Sequence, residues 1–277
     1  MSNMTMNLED HLGDIIHKAR HAAGVSLPDA AQAANLSAAE LELLEQSGQT
    51  GASVNLPALA QLIGLHPGRL VGIAGGWRPQ PQRLERWREL RQISTTRAGN
   101  AVNCFLIWDH ASSQAALFDT GWEAQPVLRL LEENRLRLLH LFITHGHHDH
   151  VAALEPLRGS VPGLVVHAGV KNQHRHEPGA ALFLGQLRIT ARPVPGHAED
   201  GMVYVVEDWP DDAPATAFLG DTLFAGSLAK GFVSTDLLKQ KVREQIFTLP
   251  PDTLLCPGHG PVTTVGEEMT HNPFFGF

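Results

Sequence analysis

A mixed α/β fold is predicted: a small all-α unit at the N-terminus, then a larger α/β sandwich. Three observations carry this. Residues 1–76 show helical apolar spacing punctuated by capping residues. From residue 92 onward, apolar strand-like runs come in groups with helices interspersed, rather than in a strict βαβ repeat. Several of the 16 histidines gather directly after those runs.

The elements follow in order. Leu12, Ile15, Ile16 and Ala19 have the spacing of one helix face. Ser26 before Leu27-Pro28 reads as an N-cap with proline in the first turn. Asn35-Leu36-Ser37 is a turn and cap, after which Ser37–Gln46 reads as a helix. Pro57 opens a further helix through Leu62 that Gly64 ends, and Pro67 opens a last short one through Ile73. Gly75-Gly76 and Pro79-Gln80-Pro81 then break the chain. Leu84, Trp87 and Leu90 form one apolar stripe among arginines, so residues 77–91 read as an Arg-rich linker helix. Beyond it, Val102–Trp108, Ala115–Phe118, Leu138–Thr144, Leu164–His167, Met202–Glu207, Ala215–Leu219 and Thr253–Cys256 read as strands. Leu182–Thr190 reads as a strand or hairpin, and Gln125–Leu136, Val151–Arg158 and Thr235–Phe247 as helices.

Composition excludes several classes. With 43% apolar residues in 277, the chain can build a core and is not of the disordered type. No apolar run approaches the ~18–20 residues that span a bilayer. The first ten residues hold Glu9 and Asp10 but no Lys or Arg, unlike a signal peptide. Two cysteines are too few for a disulfide scaffold. A cytoplasmic protein without a membrane partner is expected. The net charge of −8 disfavours a general nucleic-acid binder. Charge is unevenly spread: residues 1–76 carry only Lys18, Arg20 and Arg69 against seven carboxylates, whereas residues 77–98 hold six arginines and two glutamates.

The run Thr144-His145-Gly146-His147-His148-Asp149-His150 follows a strand directly. Imidazole and carboxylate together favour zinc, or iron or manganese as alternatives. Five metal-capable residues in six positions are enough for two ions. Three more small turns place such a residue beside a strand: Pro195-Gly196-His197, Leu219-Gly220-Asp221-Thr222, and Cys256-Pro257-Gly258-His259-Gly260-Pro261. His148 reads as pocket lining or solvent-facing. His174 and His176, in the polar stretch Lys171–Pro178, read as solvent-facing, and His110, His140, His167 and His271 as structural. Cys104 and Cys256 read as buried small hydrophobes.

This set resembles the metallo-β-lactamase superfamily, over about residues 92–277. The resemblance implies an αββα sandwich with two divalent metal ions between the sheets. By that likeness His145, His147 and His197 hold the first ion, Asp149, His150 and His259 the second, and Asp221 bridges them. Asp119, in Phe118-Asp119-Thr120-Gly121, matches an aspartate that supports the ligands from behind. Gly220-Asp221-Thr222-Leu223-Phe224-Ala225-Gly226-Ser227 and the tail His271-Asn272-Pro273-Phe274 resemble the glyoxalase II-like branch. Asp221 stands where the secreted β-lactamases carry cysteine. After Ser227 the chain reads Leu228-Ala229-Lys230-Gly231 rather than the branch's Gly-Arg pair, so glutathione is not implied as the thiol.

Two ions of this kind lower the pKa of bound water towards ~7 and can polarise a carbonyl. A thiolate leaves with a conjugate-acid pKa of ~8.5 and needs little help from an acid. The expected activity is hydrolysis of a small-molecule thioester, with a lactone or other ester second and Asp149 sharing the attacking proton. A mononuclear-iron persulfide dioxygenase and a ligand-sensing transcription regulator are the alternatives.

Residues 7–75 resemble the phage-repressor-like (Xre-type) helix-turn-helix, through Ala23-Gly24-Val25-Ser26-Leu27, Ala33-Ala34-Asn35-Leu36-Ser37 and Leu59-Ala60-Gln61-Leu62-Ile63-Gly64-Leu65. The resemblance implies that Ser37–Gln46 enters the major groove. That segment carries Glu40, Glu42 and Glu45 and no Lys or Arg. Charge therefore favours a dimerisation or partner-binding role over DNA, and a homo-oligomer is expected.

Overall fold

The computed structural model describes residues 7–168 and 180–276. Five short helices come first: α1 (Leu12–Ala22), α2 (Leu27–Ala34), α3 (Ala38–Ser47), α4 (Leu56–Leu62) and α5 (Pro67–Ala74). α2 to α5 start within a residue of where their sequence signals place them. Ser26, Ser37 and Asn55 accept hydrogen bonds from the third residue of their helices, and Pro28, Pro57 and Pro67 occupy first-turn positions. The N-terminal region is thus helical, as expected.

The second unit holds β1 (Leu90–Arg97), β2 (Asn100–Trp108), β3 (Gln114–Phe118), α6 (Gln125–Glu133), β4 (Arg137–Phe142), α7 (His148–Val151), α8 (Leu154–Ser160) and β5 (Val165–His167). Then come β6 (Ala181–Leu184), β7 (Leu187–Pro193), β8 (Met202–Glu207), β9 (Thr216–Gly220), β10 (Leu223–Phe224), β11 (Ser227–Leu228), α9 (Thr235–Gln245), β12 (Leu254–Pro257), β13 (Thr263–Thr264) and α10 (Val265–His271). One sheet has the order β1-β2-β3-β4-β5, the other β13-β12-β9-β8-β7-β6, and β10-β11 is a small hairpin.

Alternation along the strands builds the layers. Phe105 and Ile107 of β2 meet Tyr204, Val206 and Phe218 in the core between the sheets. Their neighbours Cys104 and Leu106 face the other way, onto Val127, Leu131 and Leu157 of α6 and α8. On the second sheet, Val203, Val205, Ala217 and Leu219 face Leu238 and Val242 of α9. The result is the expected αββα stack. Phe118 stacks on Phe218 across the sheets at 3.8 Å and on Phe142 of its own sheet at 5.1 Å, which ties the two sheets beside the site.

The linker helix over 77–91 is corrected. Only a single 3-10 turn forms, at Leu84–Arg86, and Leu90 opens β1, opposite Ile107. The stripe is buried for a different reason. Trp87 is enclosed and its indole N–H donates to the Pro214 carbonyl at 2.7 Å, which fixes an extended entry into the sheet. The helix read over Val151–Arg158 is divided into α7 and α8, with Ala152 and Ala153 between them.

The helical unit is not a free appendage. Ile15, Ile16, Leu59, Leu70 and Ile73 share one core with Leu223, Phe224, Leu228, Phe274 and Phe275 of the second unit. The His66 amide donates to the Pro273 carbonyl at 2.8 Å, Arg69 to the Asn272 and Phe275 carbonyls, and Trp77 stacks on His271 at 5.0 Å. Among the described residues no helix is long and apolar enough to cross a membrane.

Candidate metal centre

All metal-capable turns lie at one end of the sandwich. β3 and β4 run parallel, as do β9 and β12, so their C-terminal ends deliver Asp119, the 145–150 loop, Asp221 and His259 to the same place. The β7–β8 connection supplies His197. Two groups of ligand atoms result, each with all members within 4.8 Å of one another: His145, His147, His197 and Asp221; and Asp149, His150 and His259. Asp221 lies between the two. Its Oδ1 is 3.2 Å from His150 Nε2 and 3.4 Å from His259 Nε2, and its Oδ2 is 3.8 Å from His197 Nε2. Asp149 Oδ2 is 3.3 Å from His259 Nε2. Every residue expected at the site from the sequence is therefore at one location.

Three of the rings are fixed from behind. His150 Nδ1 bonds Asp119 Oδ2 at 2.8 Å, His197 Nδ1 the Lys230 carbonyl at 2.8 Å, and His259 Nδ1 the Ala101 carbonyl at 2.6 Å. Such outer contacts set the tautomer and aim the other nitrogen inward. Asp119 also accepts from the Thr144 amide and hydroxyl, both at 2.8 Å, so one carboxylate sets both the loop and a ring. Tyr204 donates its hydroxyl to the Ile143 carbonyl at 2.9 Å, just ahead of the loop.

Glycine is required where the loops meet. A Cβ on Gly258 would sit 2.6 Å from both Asp221 Oδ1 and His150 Cε1. A Cβ on Gly220, which has φ +50°, would overlap the Thr144 hydroxyl.

The donor set fits a cation. His145 Nε2, His150 Nε2 and Asp221 Oδ1 are buried with no hydrogen-bond partner, although the last two lie 3.2 Å apart. His147 Nδ1 faces His197 Nε2 at 3.0 Å, two ring nitrogens aimed at each other. Buried polar atoms are rarely left in this state without a ligand to satisfy them. Protonation tells the same story. Burial first, and then His150, push His145 down to about 2. For His150 burial also opposes the charge, but Asp119 and Asp221 outweigh it and hold the ring up to about 10. Asp149 and Asp221 likewise outweigh burial and hold His259 up to about 11. Asp221 is kept well below the ordinary carboxylate range, because His150 and His259 outweigh its burial. A bound cation would take the place of the protons that these pairings favour on His150 and His259.

The remaining histidines are elsewhere. His148 is exposed and packs edge-on to Trp122 at 5.5 Å. His140 and His167 meet each other at 3.1 Å, and His271 packs on Trp77. Both cysteines are buried, and burial raises the Cys104 and Cys256 thiols far above their ordinary values. His174 and His176 lie outside the described residues.

Sequence reasoning missed several residues around the site. The Asn103 amide N–H donates to the Gly258 carbonyl at 2.7 Å, and its side chain to the Pro257 and Gly260 carbonyls, stapling the His259 loop. Glu9 of the N-terminal segment lies against Gly260, beside His259. Lys18 of α1 sits 5.5 Å over the Phe224 ring, itself 5.8 Å from His259. Phe232 packs on His147 and His197. No local motif marks these residues; only the fold brings them to the site.

The profile of the Metallo-beta-lactamase superfamily matches residues 97–259. The chain belongs to that superfamily. It is 30% identical over 200 residues to "Hydroxyacylglutathione hydrolase GloC" of Haemophilus influenzae, covering 62% of this chain and 92% of that protein. It is 34% identical over 191 residues to "Persulfide dioxygenase ETHE1, mitochondrial" of Homo sapiens, covering 62% of this chain and 72% of that one. Among solved structures, ETHE1 from Myxococcus xanthus superimposes with TM-score 0.57 at 30% identity, over 66% of this chain and 83% of that one. TTHA1623 in a di-iron-bound form gives TM-score 0.55 at 26% identity, over 66% and 100% respectively. Membership supports an enzyme that binds divalent metal. The relatives named above include both a hydrolase and a dioxygenase.

Proposed function

We infer that the chain is a dinuclear metallohydrolase of thioesters, with zinc as its first-choice metal and iron or manganese as alternatives. One observation carries this reading: the second ligand group, Asp149, His150 and His259, is complete and as carefully oriented as the first. His145, His147 and His197 would hold one ion, Asp149, His150 and His259 the other, with Asp221 shared. The di-iron form of TTHA1623 is in keeping with a two-ion site. Bound metal would supply Lewis-acid polarisation of a carbonyl and a water acidified towards neutrality.

The chain's own residues do the rest. Asp149 is held ionised, because His259 and His150 outweigh its burial. Its carboxylate is the acceptor for the proton leaving the attacking water. Asp119 keeps His150 in one tautomer and anchors Thr144, so the ligand loop does not drift during turnover. Phe232 shields the His147 and His197 side. With no second proton donor among these groups, a leaving group that departs as an anion is favoured, hence a thiolate over an amine.

The second reading is a mononuclear-iron persulfide dioxygenase, favoured by the 34% identity to the human persulfide dioxygenase. His145, His197 and Asp221 contain the two-histidine, one-carboxylate set that suits non-haem iron. Metal content per chain, measured together with a thioester panel, separates the two. About two ions per chain with thioester hydrolysis is expected. One iron per chain with oxygen uptake on a persulfide overturns the hydrolase reading.

A further inference from the structure

We propose that the N-terminal helical unit is an outer support of the second ligand group: the Lys18–Asp10 ion pair clamps that unit onto Phe224 and Gly260 and, through them, holds His259 in place to receive metal. The inference rests on the two-ion reading and adds residues that set the affinity of the second ion. Lys18 and Asp10 act as positioning residues, because neither is among the grouped ligand atoms.

The ion pair joins the two units. Asp10 lies just ahead of α1 and Lys18 within it, and their side chains are only 13% and 14% exposed. The Lys18 ammonium also donates to the Leu228 carbonyl at 2.7 Å and lies 5.5 Å over the Phe224 ring. Phe224 and Leu228 belong to the β10–β11 hairpin, which follows Asp221 directly. One ammonium therefore fixes the N-terminal segment, α1 and the hairpin to each other. So enclosed a cation needs its anion, since removing either partner leaves a desolvated charge.

Two contacts carry the clamp to His259. The Phe224 ring meets the His259 ring edge-on at 5.8 Å. Glu9, the neighbour of Asp10, lays its backbone against Gly260, where a Cβ would stand 3.0 Å from the Glu9 nitrogen. Gly260 directly follows His259. The ring's bond from Nδ1 to the Ala101 carbonyl, at 2.6 Å, sets a direction but leaves the ring free to rock about it, and Phe224 closes that freedom. The first group has its support elsewhere: Phe232 packs on His147 and His197, and the Lys230 carbonyl orients His197. The clamp thus bears on one ligand group more than on the other. Outer partners of a ligand commonly carry about 10–100-fold of metal affinity.

The test titrates zinc calorimetrically into the metal-stripped full chain. The wild type should show two steps, and His259→Ala identifies the step of the second group by removing it. Lys18→Met keeps a stem over Phe224 and removes the charge. The double variant Asp10→Asn, Lys18→Met removes both charges and leaves no carboxylate unpaired. Phe224→Leu keeps an apolar side chain and removes the ring against His259. Each should weaken the His259-dependent step by about tenfold and leave the other within about twofold. Equal weakening of both steps would reduce the clamp to general structural support and overturn the inference. So would an unchanged His259-dependent step in the double variant and in Phe224→Leu, with two steps still present in the wild type. A wild type that takes up a single ion overturns the two-ion reading and this inference with it.

Discussion

Asp119 and His150 are joined by a 2.8 Å hydrogen bond from ring Nδ1 to carboxylate Oδ2, and the same carboxylate holds Thr144 through two more. Asp119 sits at φ +57°, a conformation that Asn tolerates and alanine does not favour. Asp119→Asn therefore keeps the backbone while removing the charge that raises His150. Metal affinity should fall by about 10–100-fold, the usual cost of losing an outer partner of a ligand. Competition with a chelator, followed by metal analysis, measures it. Unchanged affinity would mean that Asp119 merely shapes the loop.

The ligand cluster makes sharper distinctions. Asp221 touches both groups, so Asp221→Ala should lose metal from both and abolish hydrolysis. His147→Ala should weaken retention in the first group, whereas His148→Ala should keep metal and most activity, because His148 faces Trp122 in the exposed rim. Elemental analysis after dialysis compares the three. A His148 variant as depleted as the His147 variant would reverse the assignment.

How far the sequence revealed this site depends on how local each signal was. The loop at 145–150 and the turns at His197, Asp221 and His259 are short runs whose chemistry is visible in place. Asn103 and Glu268 are single polar residues whose bonds to the site's turns reach 154 and 42 positions along the chain, to Pro257 and Gly226, and no periodicity marks them. β1 escaped notice because Gln92, Ser94 and Thr96 alternate with too few apolar residues to look like a strand. Its turn is the pair Ala98-Gly99, both at positive φ, where the stronger signal would be Asn-Gly. The linker arginines suggested a solvated helix; the buried Trp87 decided otherwise. α10 was missed because Val265 and Met269 are its only large apolar residues.

Glu268 gives a pH prediction. It is fully buried in α10, accepts from the Gly226 amide, Thr263 Oγ1 and Asn272 Nδ2, and thereby ties α10 to the turn after Asp221. Burial raises its carboxyl to about 7, and the hydrogen bonds only partly offset that. The folded chain thus holds a proton that the unfolded chain, with its carboxyl near 4.5, releases. This contribution to stability is complete below the unfolded value and is lost as pH rises through about 7. Unfolding free energies from urea titrations between pH 5 and 8 should fall more steeply for the wild type than for Glu268→Gln, by at most about 1.4 kcal/mol per pH unit. Parallel slopes would show that Glu268 stays ionised throughout.

The helical unit carries the last prediction. All three of its basic residues are turned to protein partners: Arg20 to the buried Glu45 at 2.6 Å, Lys18 to Asp10 and Leu228, and Arg69 to the carbonyls of Asn272 and Phe275. The outward side of α3 offers Glu40, Glu42 and Leu43, the last 53% exposed. Phosphate contacts need cations on that side, so duplex DNA should bind no better than weakly at physiological salt. What the unit does provide is cover. Removing residues 1–76 would expose Leu223, Phe224, Leu228, Phe274 and Phe275, which now share its core. Each large apolar side chain returned to water costs about 1.5–3 kcal/mol. A chain beginning at Trp77 should therefore aggregate or melt far below the full protein and bind the dye ANS, while fluorescence anisotropy with genomic fragments stays flat for the full chain. A truncated chain melting within about 3 °C of the full one, a shift worth only ~1 kcal/mol at this size, would show that the shared core is dispensable. Tight, sequence-selective DNA binding would restore a regulatory role for α3 even with the core intact.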